Sequence, residues 1–309
     1  MNVLVTGSNG FIGSHVAKYL KEKGFGVCGL GRSAYPSIEE VVDDYIQCDL
    51  ATGDAKQILT KVGKVIDVVV HLAADMRKEP HCVEVIKANC SGTQSLLEMC
   101  EESGIKVFMQ LSSLPVIGHP EVHPITESHP LNPYTVYHIT KVTEEMLANY
   151  ACKYHGIRTA SFRISAPIGP RMNPNTIFPT FVRNAVANKD IVLMGKGLRK
   201  QNYLAVNDIA RCIELSIKTP TVQGVYNLTS NLLISNKDLA KKTIEVLNSK
   251  SKIVFLGEDS LDGDVWDASI EKIHRDGGYM PKANIEKMIR EYADWYVNNF
   301  LSIKSVQQE

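Results

Sequence analysis

Gly7, Gly10 and Gly13 fall at even spacing between an apolar run and an amphipathic one, in Asn-Val-Leu-Val-Thr-Gly-Ser-Asn-Gly-Phe-Ile-Gly at 2–13. Val3, Leu4 and Val5 have the character of a strand buried on both faces, and Phe11 to Lys23 carries helical periodicity. Gly7 permits a tight turn, Gly10 lets backbone approach a ligand, and Gly13 lets helix and strand pack closely. The helix N-terminus adds unpaired N–H groups and a positive dipole end, which suit a pyrophosphate. Glycines at this spacing are weak in isolation; between a strand and a helix they point to dinucleotide binding.

Beyond the turn, strand-like and helix-like runs alternate. Strands are expected near 2–6, 25–30, 44–47, 66–72, 105–111 and 157–164, and helices near 11–23, 53–61, 82–103 and 134–155. Runs such as Val65-Ile66-Asp67-Val68-Val69-Val70 suit strands covered on both faces. The alternation predicts an α/β fold, a doubly wound parallel Rossmann-type sheet with ligand at the carboxyl ends of its strands. After Ile164, Pro167, Gly169, Pro170, Pro174 and Pro179 mark irregular chain before a helix near 176–188. A strand at Tyr203–Val206, a helix from Asn207 to about Lys218 and a strand at Val225–Leu228 are placed to rejoin the sheet. The 309 residues thus divide into a dinucleotide-binding domain over 1–170, with a return around 203–228, and a smaller C-terminal substrate-capping lobe over 171–309. That lobe includes helices near 236–248 and 284–300, and only the last few residues have the look of disorder.

Composition removes several function classes. Lys plus Arg equals Asp plus Glu, 34 each, so no global field favours nucleic acid or an anionic membrane. No apolar run has the length of a membrane span. The first strand begins at once, which leaves no room for a signal peptide. Seven cysteines without a C-x-x-C pair suit reduced thiols in a cytosolic protein. No His, Cys and carboxylate cluster has metal-ligand spacing, so no metal is expected.

Tyr137 and Lys141 are four apart in a helical stretch and so share a face. Spacing alone does not single them out, because Tyr19 and Lys23 repeat it on what reads as the exposed side of the first helix. Context does: Tyr137 follows the proline-rich 124–133 loop and the strand ending in Leu111-Ser112-Ser113, which opens onto the expected cleft. An ammonium beside a phenol favours the phenolate, lowering its pKa toward working pH. A nearby serine hydroxyl can hold the substrate oxygen.

The chain resembles the extended short-chain dehydrogenases/reductases, the group that includes UDP-galactose 4-epimerase, sugar-nucleotide dehydratases and 4-ketoreductases. Resemblance runs along almost the whole chain: Thr6-Gly7-x-x-Gly10-x-x-Gly13, Cys48-Asp49-Leu50, His71-Leu72-Ala73-Ala74, Asn89-x-x-Gly92-Thr93, Ser112-Ser113 and Tyr137-x-x-x-Lys141. It continues through Arg163 to Gly169-Pro170, Val206-Asn207-Asp208-Ile209-Ala210 and Val225-Tyr226-Asn227. The resemblance implies that Tyr137 is the proton donor and acceptor, Lys141 its partner and a ligand of the nicotinamide ribose, and Ser113 the catalytic hydroxyl, with Ser112 a cofactor-side neighbour. Asp49 and Leu50 would border the adenine, and Leu72, Ala73 and Ala74 would line the cofactor. Phe11 and Ile12 of the turn, with Ile164 and Pro167, complete the implied cofactor set. Asn89 is open to two readings, a cofactor contact or a buried amide tying strand to helix.

Residues at the end of the second strand bear on the cofactor. NAD-binding chains commonly place a carboxylate there for the ribose 2′-hydroxyl. Here Leu30-Gly31-Arg32-Ser33 offers a guanidinium and a hydroxyl, which suit a 2′-phosphate and favour NADP(H) over NAD(H). The Asp-Glu pair that follows the catalytic hydroxyl in family dehydratases is replaced by Leu114-Pro115, which argues against dehydration. Ala166 and Gln201 stand where the family carries an asparagine and an arginine, the latter a usual diphosphate ligand; Arg171, Arg199 and Lys200 are the candidate substitutes.

Together these features predict an NADP(H)-dependent reductase or epimerase acting on a hydroxyl or keto carbon of a sugar, which the resemblance implies is nucleotide-linked. The rival readings are a reductase of small non-nucleotide carbonyls and a non-catalytic redox-sensing or scaffold protein. Apolar residues around two helices, Leu96, Leu97 and Met99 in one and Val142, Met146, Leu147 and Tyr150 in the other, predict a homodimer.

Overall fold

Val3 and Val5 pack on one side of the first strand and Leu4 on the other, so the alternation of a strand assigns the opening apolar run to two cores at once. The computed structural model describes residues 1–301 other than 38, 53, 54, 56, 57, 59–64 and 283. Most of the helix expected near 53–61, and the last few residues expected to be disordered, lie outside the described residues.

In chain order the strands are β1 (Asn2–Thr6), β2 (Gly26–Gly31), β3 (Asp44–Gln47), β4 (Val68–His71), β5 (Val107–Ser113), β6 (Arg158–Ile164), β7 (Ala166–Ile168), β8 (Ile191–Met194), β9 (Lys200–Ala205), β10 (Gly224–Leu228), β11 (Leu233–Ser235), β12 (Ile253–Leu256) and β13 (Val265–Trp266). Seven of them form a parallel sheet ordered β10-β6-β5-β4-β1-β2-β3. Helices Phe11–Glu22 and Val206–Lys218 cover one face through Val16, Leu20, Ile209 and Ile213. Helices Gly92–Glu102 and Val136–His155 cover the other, where Leu96, Leu97, Cys100 and Ala151 meet Leu4, Val69 and Phe108. This is the expected doubly wound Rossmann-type sheet.

One strand goes elsewhere. The segment containing Tyr203 was expected in the main sheet, but β9 pairs with β7, β11 and β13 in a second sheet. The place beside β6 is taken by β10, in register Val225↔Ser161. β7 follows β6 across the single residue Ser165, and its parallel pairing Ala166↔Tyr203 fixes β9 in the C-terminal lobe. The helix Val206–Lys218 and β10 do return to the first domain. The lobe has its own core, in which Phe178, Val182, Tyr203, Leu239, Ile289 and Tyr292 pack together.

The surplus apolar surface is also smaller than expected. Leu96, Leu97 and Met99 are all buried in this chain's own core. On the neighbouring helix Met146 and Tyr150 remain 68% and 53% exposed, and Val142 and Leu147 are half-buried. Among the described residues, no helix is long and apolar enough to cross a membrane.

Candidate active site

The glycine turn is shaped by close approach. Gly7 has φ 69°, and a Cβ there would lie 2.8 Å from the backbone of Ala73. A Cβ on Gly13 would collide with the Gly7 carbonyl. Gly10 is the N-cap of Phe11–Glu22 and supplies no side-chain cap, so the helix N-terminus is left to an outside acceptor. These features fit the pyrophosphate of a dinucleotide, with Gly10, Phe11 and Ile12 at the opening of the helix.

Behind the turn, a buried chain of polar groups joins three elements. The backbone N–H groups of Leu72 and Ala73 both donate to Thr6 Oγ1, each at 3.1 Å. With its lone pairs so used, the Thr6 hydroxyl donates to His71 Nδ1 at 2.7 Å, and His71 Nε2–H then donates to Thr93 Oγ1 at 2.9 Å. Burial, reinforced by the Lys141 charge, pushes the His71 pKa down to about 3, so the ring is neutral. Sequence reading missed this chain, although Thr6, His71 and Thr93 all stand within the quoted motifs. Ala74 is exposed beside it.

The adenosine end lies at the tips of β2 and β3. A Cβ on Gly31 would come within 2.6 Å of the Tyr45 hydroxyl, so a side chain at position 31 requires that hydroxyl to move. The Tyr45 hydroxyl is itself held, donating to the Ser33 carbonyl and accepting from Asn9 Nδ2, both at 3.0 Å. Arg32 is exposed, and its charge reaches Asp75, helping Arg77 hold that carboxyl below its usual range. Asp49 is exposed and Leu50 half-buried against Gly92.

Arg171 lies on this side of the molecule rather than among the candidate substrate residues. It takes left-handed backbone, φ 70°, and its Nη2 donates to Ser37 Oγ at 3.0 Å and to the Asn9 carbonyl at 3.4 Å. Pro170, just before it, is anchored to the first helix through its carbonyl and His15, which directs the chain back toward the glycine turn. Arg199 and Lys200 remain in the C-terminal lobe; Arg199 Nε is buried with no hydrogen-bond partner among the described residues, while Lys200 is exposed. Gln201 donates to the Tyr203 hydroxyl at 2.7 Å.

Tyr137 enters from the helix Val136–His155, whose first turn is fixed by Thr135: its hydroxyl accepts from the His138 N–H at 3.2 Å. One turn on, Lys141 Nζ donates to the Leu111 carbonyl at 3.0 Å and to Glu144 Oε2 at 2.9 Å. The Leu111 bond ties the helix to β5, whose last residue, Ser113, is in register with Ile164 at the end of β6. Pro167 follows in β7, half-buried like Ile164. Ser113, Tyr137 and Lys141 therefore gather at the carboxyl edge of the sheet.

The phenol is not activated as the pairing alone suggests. Burial raises the Tyr137 pKa and outweighs the opposing pull of Lys141, while Glu144 adds to the rise. Burial alone would lower the Lys141 pKa, but Glu144, Tyr137 and Glu145 together keep it above its ordinary value.

Two other motif residues have structural partners. Asn89 accepts from the Asp75 N–H at 2.7 Å and donates to the Asp75 carbonyl and Thr140 Oγ1, tying the loop after β4 to the Tyr137 helix. Ser112 is buried, and its hydroxyl donates to Glu145 Oε1 at 2.6 Å. Tyr19, the spacing control, is half-buried rather than exposed and donates to Glu214 on the neighbouring helix at 3.2 Å.

With this geometry the family is established. The model of the NAD dependent epimerase/dehydratase family matches residues 3–229, and the chain belongs to that family, an extended short-chain dehydrogenase/reductase. It is 29% identical over 311 residues to the dTDP-glucose 4,6-dehydratase of Streptomyces griseus, covering 96% of this chain and 94% of that one. In fold it is similar to the UDP-N-acetylglucosamine 4-epimerase of Methanobrevibacter ruminantium M1, solved with UDP-N-acetylmuramic acid, at TM-score 0.86, 24% identity and coverage of 97% and 99%. The UDP-glucuronic acid 4-epimerase of Bacillus cereus, solved with UDP-glucuronic acid and NAD, matches at TM-score 0.82 and 23% identity, over 97% of this chain and all of that one.

Proposed function

We propose that this chain is a nucleotide-sugar reductase or epimerase that uses NADP(H). The observation that carries the reading is the pairing of Tyr137 with a buried Lys141 at the sheet edge that also bears the uncapped glycine turn. When bound, the nicotinamide supplies hydride exchange at C4. The chain's residues do the rest: Tyr137 moves the proton at the sugar oxygen, Ser113 orients that oxygen, and Lys141 favours the phenolate. Lys141 has three N–H donors and two are used, so the third remains for the nicotinamide ribose.

Several features support the finer choices. NADP(H) over NAD(H) is favoured by the absence of a carboxylate at Gly31, where the Tyr45 hydroxyl crowds the position, and by exposed Arg32 and Ser33 beside it, although the Bacillus cereus relative was solved with NAD. Reduction or epimerisation over dehydration is favoured by Leu114-Pro115, an apolar turn directly after Ser113 in which Leu114 is buried. A small non-nucleotide carbonyl is the second reading, since Ala166 and Gln201 provide no charge for a diphosphate and Gln201 is engaged with Tyr203.

For assembly we propose a homodimer through the Val136–His155 helix, where Ile139, Met146, Tyr150 and Tyr154 form an exposed stripe at helical spacing.

A thermal-shift screen of UDP- and dTDP-sugars, with NADP(H) or NAD(H) present, tests the substrate class, because a ligand of the native state raises its stability. Stabilisation by a sugar nucleotide, followed by turnover of that compound, is expected. Stabilisation only by small carbonyl compounds would favour the second reading.

A further inference from the structure

Lys141 does not stand alone behind Tyr137. Glu144, one turn along the same helix, places Oε2 2.9 Å from Lys141 Nζ, and the Glu144 side chain is 1% exposed. Its other oxygen, Oε1, is buried with no hydrogen-bond partner among the described residues. A helical Lys-Glu pair at this spacing is ordinarily a solvated surface pair of small effect. Here it lies inside, where charge interactions are less screened and an unsatisfied carboxylate oxygen is costly.

We propose that Glu144 is a positioning residue for the proton-transfer step: it fixes the Lys141 ammonium and offsets the charge that Lys141 presents to Tyr137. This rests on the proposed role of Tyr137. The groups facing the Glu144 carboxylate are Lys141 and Glu145 on its own helix and Cys90 in the helical turn Lys87–Ser91 that leads into the Gly92–Glu102 helix. Tyr137 feels both members of the pair, and His71 feels Lys141 from the end of β4. From the strand side, Leu111 contributes its carbonyl to Lys141, and Gln110 donates to the Glu144 backbone carbonyl rather than to its carboxylate.

The charge states then have opposite consequences. With Glu144 ionised, the Lys141 charge is balanced and Tyr137 is held as the phenol. With Glu144 protonated, the ammonium acts on Tyr137 uncompensated and the phenolate forms more readily. Burial pushes the Glu144 pKa up to about 7, with Lys141 pulling it back, so the pair changes state near neutral pH. A residue that merely filled space would not have this effect.

Glu144→Gln keeps the shape and an oxygen acceptor for Lys141 while removing the charge. Tyr137 ionisation is read as the ultraviolet difference spectrum of each protein against its own Tyr137→Phe counterpart. Removing one charge at this range should lower the pH of ionisation by about half a unit or more. No change, or an upward shift, would overturn the proposal.

A second arm needs neither the phenol nor a substrate, and also serves if Glu144→Gln does not fold. Lys141→Met leaves the Glu144 carboxylate buried without the partner that pulls its pKa back, so the variant's melting temperature should keep falling above about pH 7, where the loss from Glu144 in the parent levels off. Adding Glu144→Gln to Lys141→Met should abolish that slope. A Lys141→Met protein whose pH dependence matches the parent would show that the pair is not coupled, and would sink the proposal. If both arms behave as expected while Tyr137→Phe retains turnover, the charge balance stands and the assignment of Tyr137 fails.

Discussion

The Arg163 guanidinium grips the Glu145 carboxylate with two nitrogens, Nε 2.9 Å from Oε1 and Nη2 2.7 Å from Oε2, and both side chains are buried. Ser112 adds a third bond to the same carboxylate. One acid on the Tyr137 helix thus binds residues from β5 and β6. Arg163 also reaches the Glu127 carbonyl, so the loop preceding the helix is held by the same guanidinium.

Removing Arg163 leaves Glu145 buried without its principal partner. Arg163→Met should therefore destabilise the protein by about 3–5 kcal/mol, the usual cost of breaking a buried pair from one side. Replacing both residues with apolar side chains should recover much of that loss. Urea unfolding of the single and double variants measures it; a single variant within about 0.5 kcal/mol of the parent would mean the pair contributes no more than a surface one.

What the sequence disclosed, and what it did not, follows from the range of the interactions. The glycine turn and its flanking strand and helix are local, so Gly7 to Gly13 were legible from spacing and periodicity. The partner of β9 is set by Ala166 pairing with Tyr203 and by β10 filling the place beside β6, choices made across long stretches of chain. Glu144 and Glu145 look like ordinary helix acids because their burial depends on packing against β5 and β6. The surroundings of Arg171 were not legible either, because nothing in its sequence neighbours reports that Pro170 is anchored to His15 and that the guanidinium reaches Asn9.

Cofactor choice is testable at Arg32. NADPH should bind more tightly than NADH, and Arg32→Ala should erase most of that preference while leaving NADH affinity near the parent value. Fluorescence titration of both reduced cofactors reads this directly. Equal affinities in the parent would make Arg32 a solvated loop residue.

Tyr137→Phe removes the ionisable oxygen and keeps the ring, so turnover on an identified substrate should fall by about 10²–10⁴-fold, the range of general acid–base catalysis. Cofactor affinity should change little. Ser113→Ala should slow turnover without weakening the cofactor, and Lys141→Met should reduce both. Tyr19→Phe loses one partly exposed bond to Glu214 and should leave turnover unchanged. Steady-state kinetics with parallel cofactor titrations separate these patterns, and near-parental turnover in Tyr137→Phe rules out the proton path.

The exposed stripe on the Tyr137 helix carries the assembly prediction. Met146→Lys with Tyr150→Glu puts charge where Met146 and Tyr150 are now 68% and 53% exposed, so a dimer should dissociate while the monomer fold persists. Light scattering at micromolar concentration reports the mass. A parent that is already monomeric removes the proposed interface.

His71 and Glu144 give the stability opposing dependences on pH. The His71 pKa lies at about 3 in the folded chain, against 6.5 for an ordinary histidine, because burial and then Lys141 disfavour the charged ring. Below about 6.5 the unfolded chain takes up a proton that the folded one refuses, so this contribution falls by about 1.4 kcal/mol per pH unit on acidification. Glu144 has the reverse sign: its folded pKa is about 7 against 4.5, so its contribution is complete below 4.5 and is lost as pH rises through about 7. Between these ordinary values, 4.5 and 6.5, the two slopes offset each other. Relative to the parent, Glu144→Gln should lose stability on acidification across that interval, and His71→Gln should gain it. Urea unfolding at stepped pH gives both differences. Parallel curves for Glu144→Gln and the parent would show that this carboxylate carries no raised pKa in the folded protein.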